Sequence, residues 1–445
     1  MNRSFAAVST AAVVIGLTLS GCTGSAGQTA APGTDKTIDY WGFSGGVAST
    51  TAKSVIAAFE ESHPGYTVNA VTMDTADFDV KLPSTLGQDS GPDLVYTGTE
   101  PNHLGRYVKV GQVSSLADVW GDRGWDKLVP SSQERLTYDD TPYAVGNELE
   151  TVGLMYNKVI LDRLGIAVPT SLAELEQAMD KVKAAGDGTI PMVLACGGPC
   201  YAGLHMMHAL GYATIPTATI LATTPVGTGN YTDPGWLQML EKFKAWNDTG
   251  YFTPDASGIP DENHTASFCT GTTAFMVKGP WMFAAMAECE KENPDKFQFG
   301  FVGFPVNDGM PFQAYVGTGK AWFLSSGLDS DPEKRAAVLD LVSAFTDAAT
   351  FTSWIETDGL FPAIEFDPSA YKLSDPQKAA LTIMNDAGAN GGAVDIGFNN
   401  SAEETQTWVA GLQGILAGTS TPQDLVGNLQ AQLEKDRAAW DAQKK

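Results

Sequence analysis

Positive charge is what this 445-residue chain has least of: 27 Lys and Arg face 52 Asp and Glu, a formal charge of −25. Such a surface repels phosphate backbones and anionic lipid headgroups, so no nucleic-acid partner is expected. Charged residues make up only 18% of the chain, below the usual quarter. Small residues, among them 47 Gly, take their place. Catalytic signatures are missing as well. There is no G-x-S-x-G elbow, no G-x-x-x-x-G-K-[ST] phosphate loop and no H-E-x-x-H. Gly317-Thr318-Gly319 reads as a Gly-rich turn that lacks the third Gly of a dinucleotide site. No internal repeat of 20–50 residues is present, which excludes a solenoid. Apolar residues at 43% and aromatics at 10% are ordinary for a folded chain and too rich for a disordered one. The length suffices for two or three domains and excludes a disulfide-stapled miniprotein.

Long apolar runs are also scarce. The longest, Phe5 to Leu19, follows Arg3 and is interrupted by Ser9, Thr10 and Thr18, too short and polar for a comfortable membrane span. It ends in Leu19-Ser20-Gly21-Cys22, which resembles a bacterial lipobox. The resemblance implies a signal peptide over residues 1–21, cleavage before Cys22 and acylation of its thiol, with no cofactor. Thr23 to Asp35 is rich in Thr, Gly, Ser, Ala and Pro, so residues 22–36 read as anchor and flexible tether, with a reach of roughly 20 Å. The remainder is expected to be soluble, held near the outer face of the bacterial cytoplasmic membrane through the lipid alone.

Setting Cys22 aside leaves Cys196, Cys200, Cys269 and Cys289. An even number in an exported chain favours disulfides, with three connectivities open. Local pairing, Cys196 with Cys200 and Cys269 with Cys289, is the simplest. A zinc site from Cys196, Cys200, His205 and His208 is the alternative, but its spacing is short for a zinc finger.

From Thr37 onward, short apolar strands alternate with amphipathic helices, the mark of an α/β architecture. Strands are expected at Ile38–Trp41, Thr67–Val71, Asp93–Tyr96, Val152–Asn157, Ala274–Val277, Phe299–Gly303 and Ala321–Ser325. Ser171-Leu172-Ala173-Glu174 is a capping box, and Asp233-Pro234 opens a helix with Trp236, Leu240, Phe243 and Trp246 on one face. A helix is expected from Trp281 to about Lys291. Further helices follow Asp331-Pro332 and cover 375–387, 402–416 and 422–440.

Open α/β sheets bind ligands at the carboxyl ends of their strands, which directs attention to aromatic residues there. Trp41 ends the first strand, Trp281 lies in Lys278-Gly279-Pro280-Trp281, and Trp322 lies beside Gly317 and Gly319. Indole faces stack on the C–H faces of sugar rings, and carboxylates accept hydrogen bonds from hydroxyls. Trp with Glu, Asp and Asn therefore suits a neutral polyhydroxylated ligand.

Several segments, in order over about 400 residues, resemble the extracellular solute-binding proteins of ABC importers, in the sugar-binding group related to maltose-binding protein. They are Gly91–Tyr96, Tyr143-Ala144-Val145, Leu154–Lys158, Leu164-Gly165-Ile166, Gly271–Met276 with Gly279-Pro280-Trp281, Trp322–Phe351 and Gly359–Ala363. The resemblance implies a periplasmic-binding-protein-like α/β fold of two lobes, 37–148 plus 313–360 and 149–312 plus 361–445, with a hinge and a ligand cleft between them. It implies a monomer that binds carbohydrate and hands it to the transmembrane subunits of an ABC permease, without catalysis. The site residues it implies are Trp41, Glu100, Glu148, Glu150, Trp281, Trp322, Phe361 and Asp395. Cys196–Cys200 departs from the family pattern, as do Gly42, Phe43 and Ser44 after the first strand, so maltose specificity does not carry over. Two other readings stay open: the same fold binding a cationic solute, and an exported glycoside hydrolase using a carboxylate pair.

Overall fold

The computed structural model describes residues 36–443 except 74, 89, 261–262, 365, 390–395 and 397–400. Residues 1–21, Cys22 and Asp395, named above, lie outside the described residues. The first unit is built as alternation dictates. Strand β1 (Thr37–Gly42) buries every second residue, Ile38, Tyr40 and Gly42. The helix Thr50–Ser62 follows, capped by the Ser49 hydroxyl accepting from Ala52 N, and buries Ala52, Val55 and Phe59. Strand β2 (Thr67–Thr72) then runs parallel to β1, and β3 (Leu94–Gly98) lies parallel on its other side. β3 is buried at all five positions, as a central strand covered on both faces should be.

A short hairpin, β4 (Thr137–Tyr138) and β5 (Thr141–Pro142), precedes β6 (Val145–Thr151) and β7 (Gly153–Asn157). The remaining strands are β8 (Ile190–Val193), β9 (Thr273–Lys278), β10 (Phe299–Gly303), β11 (Val316–Leu324) and β12 (Phe361–Pro362). They form a six-stranded sheet in the order β12-β6-β11-β3-β1-β2 and a four-stranded sheet in the order β10-β7-β9-β8. One residue, Val152, separates the last strand position in the first sheet from the first in the second. The chain returns between β10 and β11, and there Thr151 Oγ1 donates to Tyr315 O at 2.6 Å. The outgoing and returning segments are thus tied at their crossing. Each sheet carries its own core. Tyr40, Tyr96, Trp322 and Phe345 fill one, and Leu154, Phe275, Leu210, Phe243 and Trp408 fill the other.

Most expected elements are present, with three corrections. Gly317-Thr318-Gly319 is not a turn but lies inside β11, whose pairing with β6 shifts between Thr318 and Lys320 and again between Lys320 and Ala321. A bulge absorbs the glycines that read as a loop. Trp281 does not start an α-helix. It sits on a 3₁₀ turn, Pro280–Met282, ahead of the helix Phe283–Glu292. The capping box is displaced by one residue: Ser171 Oγ accepts from Glu174 N, but the Glu174 carboxylate turns to Thr170 N at 2.8 Å. Trp236 and Trp246 are core residues, each 2% exposed.

Candidate functional site

Strand ends converge where β6 is about to leave the six-stranded sheet. β11 lies between β3 and β6, so Lys320 stands opposite Gly98 on one side and Glu148 on the other. Glu148 and Glu150, two apart on β6, point to the same face. Glu100 follows β3. These three carboxylates are 4%, 7% and 8% exposed for Glu148, Glu150 and Glu100, an enclosure that charged groups tolerate only beside partners. The Lys320 ammonium acts on both Glu100 and Glu148. Burial pushes Glu148 up to about 7, with Lys320 pulling the other way. For Glu100 burial again opposes ionisation, but the His103 hydrogen bond and the charges of His103, Lys320 and Arg135 outweigh it and hold the carboxyl down at about 2.

His103 reaches Glu100 because Pro101–Gly105 forms a π-helical turn, which brings Nδ1 to 3.0 Å from Oε2. Arg135 Nε donates to Thr99 Oγ1 at 2.6 Å, and that hydroxyl donates to Thr318 O. The loop after β3 is therefore pinned to β11 from below.

Trp281 supplies the opposite wall. It is half-buried and packs against the cores of both sheets. A Cβ on Gly279 would lie 2.5 Å from Cε3 of the indole and collide with Thr151 O. Glycine alone lets the indole fold back while its turn rests on the end of β6. The His205 ring lies 5.1 Å from Trp281, and its Nδ1 is 3.4 Å from Lys278 Nζ. Burial, then the charges of Lys278, His208, Lys320 and His264, keep His205 well below its ordinary range, so it is a neutral imidazole near pH 7. His205 stands one turn beyond Tyr201 on the helix Tyr201–Thr214. Tyr201 Oη comes within 3.5 Å of His103 Nε2, joining the two walls.

Two disulfides brace this second wall. Cys196 and Cys200 are paired immediately before the helix Tyr201–Thr214. Gln413 Nε2 donates to Cys196 O at 2.8 Å and Gly198 O at 2.9 Å. Cys269 and Cys289 are paired across β9 and the Trp281 turn. The thiols of the zinc alternative are thus bonded to each other. Among the described residues no group of three or more His, Cys, Asp or Glu is arranged to hold a metal ion.

The structure brings Glu100, Glu148 and Glu150 together around β11 and sets Trp281 beside His205, whose imidazole feels Lys320. Two of the other expected aromatics are enclosed in the core instead. Trp322 is fully buried, stacked on Phe345 with centroids 4.9 Å apart, its indole N–H donating to Tyr40 Oη at 2.8 Å. Phe361 is fully buried against Phe366. Neither ring has a face open to a ligand, which corrects the expectation for both. Trp41 lies one residue before the end of β1, half-buried against the cluster of Phe78 and Leu82. Sequence reasoning missed His103, Tyr201, Arg135 and Lys320 as members of the site. The one local signal was Tyr201 directly after Cys200 at a helix start.

A groove of about 440 Å³ lined by Val47, Lys53, Ile56 and Ala70, between the helix Thr50–Ser62 and β2, shares no residue with this constellation. The constellation holds buried carboxylates, matched cations and an indole face. It can accept and donate hydrogen bonds around an apolar ring.

Comparison with known proteins agrees with the architecture. A chitin oligosaccharide binding protein shares the fold with a TM-score of 0.79 at 22% identity, over 91% of this chain and 100% of that one. An ABC transporter solute binding protein from Thermotoga lettingae, bound with α-D-tagatose, has a TM-score of 0.76 at 19% identity, over 91% and 100%. A probable sugar-binding periplasmic protein of Mesorhizobium japonicum is 24% identical over 181 residues, 39% of this chain and 41% of that protein. The chain thus matches about two fifths of the length of that curated relative. Residues 54–385, about three quarters of the chain, match the family described as bacterial extracellular solute-binding protein. On that match, and with a two-lobe fold built on two sheets, the chain belongs to the bacterial extracellular solute-binding protein family.

Proposed function

We propose that the protein captures a neutral mono- or oligosaccharide between its lobes and delivers it to the transmembrane subunits of an ABC permease. The observation that carries this reading is the floor around Lys320. Three buried carboxylates, Glu100, Glu148 and Glu150, surround Lys320, with Arg135 acting on Glu100 and Lys278 on His205, beside the half-buried indole of Trp281. Paired charges offer strong acceptors and donors to hydroxyls without attracting a net charge. Likeness to proteins described as binding chitin oligosaccharide, α-D-tagatose and sugars supports the reading.

In this reading the lobes are 37–148 plus 313–360 and 149–312 plus 361–445, with β6 and β12 shared at their border. Ligand contacts made to both lobes drive closure about the crossings. The mechanism is capture without turnover, by a monomer. Residues 1–21 act as a signal peptide, and acylated Cys22 with the tether to residue 36 anchors the body outside the cytoplasmic membrane. No described helix is long and apolar enough to cross a membrane.

Titration calorimetry against tagatose, maltotriose, raffinose and chitin oligosaccharides tests the ligand. Binding no tighter than about millimolar, roughly −4 kcal/mol, to every sugar rejects the reading. Sugar released on prolonged incubation, and lost in Glu148→Gln or Glu150→Gln, would replace it with hydrolysis. Cys22→Ser is expected to move the protein from the membrane fraction to the medium.

A further inference from the structure

Two of the three carboxylates around Lys320 lie across glycines. A Cβ on Gly98 would fall on Oε2 of Glu100 and 2.8 Å from Nδ1 of His103. A Cβ on Gly319 would fall among the carboxylate atoms of Glu150. In both places the nearest obstructing atoms belong to the ends of side chains, not to backbone. The glycines are also neighbours. Gly98 stands opposite Lys320 in the β3–β11 register, and Gly319 precedes Lys320 at the point where β11 bulges away from β6. The bulge is therefore not only a defect in the ladder. It leaves a bare Cα facing the place where Glu150 must lie.

We propose that Gly98 and Gly319 are positioning residues of the binding site, each setting the place of one carboxylate, Glu100 or Glu150, by offering it a Cα with no side chain. The proposal rests on the solute-capture reading and deepens it by naming what aims the hydroxyl acceptors. A methyl group at either position meets the far end of a flexible side chain, which can swing aside without a shift of the backbone. The chain therefore folds, but the acceptor has moved. This separates the two glycines from Gly279, where a methyl would also strike the Thr151 carbonyl and disturb the crossing itself.

The test has one arm without ligand and one with it. In the first, the Glu100 carboxyl is titrated by NMR in wild type, Gly98→Ala and Gly121→Ala, whose added methyl meets nothing within 4 Å. Loss of the His103 contact in Gly98→Ala is expected to move Glu100 up towards the ordinary carboxylate range, while Gly121→Ala leaves it in place. In the second arm, the tightest-binding sugar of the panel above is titrated into wild type, Gly98→Ala, Gly319→Ala and Gly319→Ala/Glu150→Asp. The single variants are expected to lose on the order of ten- to a hundredfold in affinity, as for a charged hydrogen bond; near pH 7 the melting midpoint of Gly319→Ala stays nearly unchanged, while that of Gly98→Ala falls no further than that of Glu100→Gln, because only the Glu100–His103 contribution is lost. The shorter Asp, which withdraws the carboxylate by one methylene from the added methyl, is expected to recover part of the loss. An unchanged Glu100 titration in Gly98→Ala, a midpoint for Gly98→Ala well below that of Glu100→Gln, or affinity and melting midpoint of Gly319→Ala falling together with no recovery by Asp, overturns the proposal. A wild type that binds no sugar rejects the solute reading instead, and the NMR arm still decides whether Gly98 sets Glu100.

Discussion

Tyr201 and His103, 98 positions apart in the chain, meet with hydroxyl and Nε2 3.5 Å apart. The other nitrogen of the same imidazole is 3.0 Å from Glu100. One ring therefore stands between a carboxylate beside β3 and a phenol at the head of the helix Tyr201–Thr214.

At 3.5 Å this contact is long for a hydrogen bond, so it adds little to folding, and on the proposed capture mechanism it acts in binding. Tyr201→Phe is expected to change unfolding free energy by less than about 0.5 kcal/mol and to weaken sugar binding about two- to tenfold. Calorimetry paired with urea unfolding checks it. Lost stability at full affinity would place the contact in the fold alone.

Trp281 and Trp322 should separate in opposite ways. Trp281→Ala is expected to cost about 1–3 kcal/mol of ligand binding, by analogy with stacked aromatics, and less in stability. Trp322→Ala removes a fully buried indole stacked on Phe345 and should cost about 3–5 kcal/mol of stability. Denaturant midpoints and dissociation constants measured on both variants decide. Equal profiles would refute the assignment.

Glu148 and Glu100 give stability opposite dependences on pH. The carboxyl of Glu148 is raised from 4.5 to about 7 by burial, Lys320 opposing, so folding favours its protonated form. Its contribution is complete below 4.5 and lost as pH rises through about 7. Glu148→Gln should then be more stable than wild type at about pH 8 and lose that advantage by about pH 5. Glu100, held at about 2, contributes fully above the ordinary 4.5 and loses it as acid approaches its folded value. Glu100→Gln should flatten the acid limb. Urea unfolding across this range reads both signs.

The two disulfides differ in what they close. Cys269–Cys289 spans 20 positions and Cys196–Cys200 spans 4. By loop entropy alone, removing the first should cost about 3 kcal/mol and the second about 2 kcal/mol. Paired Cys→Ser variants in non-reducing denaturation test this order. If the shorter bridge costs more, the Gln413 contacts and the following helix depend on it beyond loop entropy.

What could be read from the sequence follows from range. The helix caps at Ser171 and Asp233 depend on neighbours three residues away or fewer, and they were legible. So was Trp281, because Gly-Pro-Trp after an apolar strand is a local pattern. β6 was not, because Val-Gly-Asn-Glu-Leu-Glu-Thr carries two acidic residues that look exposed. They are buried only because Lys320, far along the chain, arrives between them and Glu100. Trp322 was misread for the same reason: its glycine neighbours imitate a loop, and only the partners Tyr40 and Phe345 make it core. The resemblance pointed to Glu100, Glu148 and Glu150, but nothing local could place their cations.

The balanced floor has a consequence for where such a protein can work. The chain as a whole carries a formal charge of −25, yet in the proposed site Lys320 and Arg135 stand against buried carboxylates. For an uncharged solute, such a floor neither steers approach nor loses grip as ions accumulate, because screening acts on exposed net charge and on distances beyond about 10 Å. Capture of such a solute, as proposed, is then equally effective in dilute and saline media.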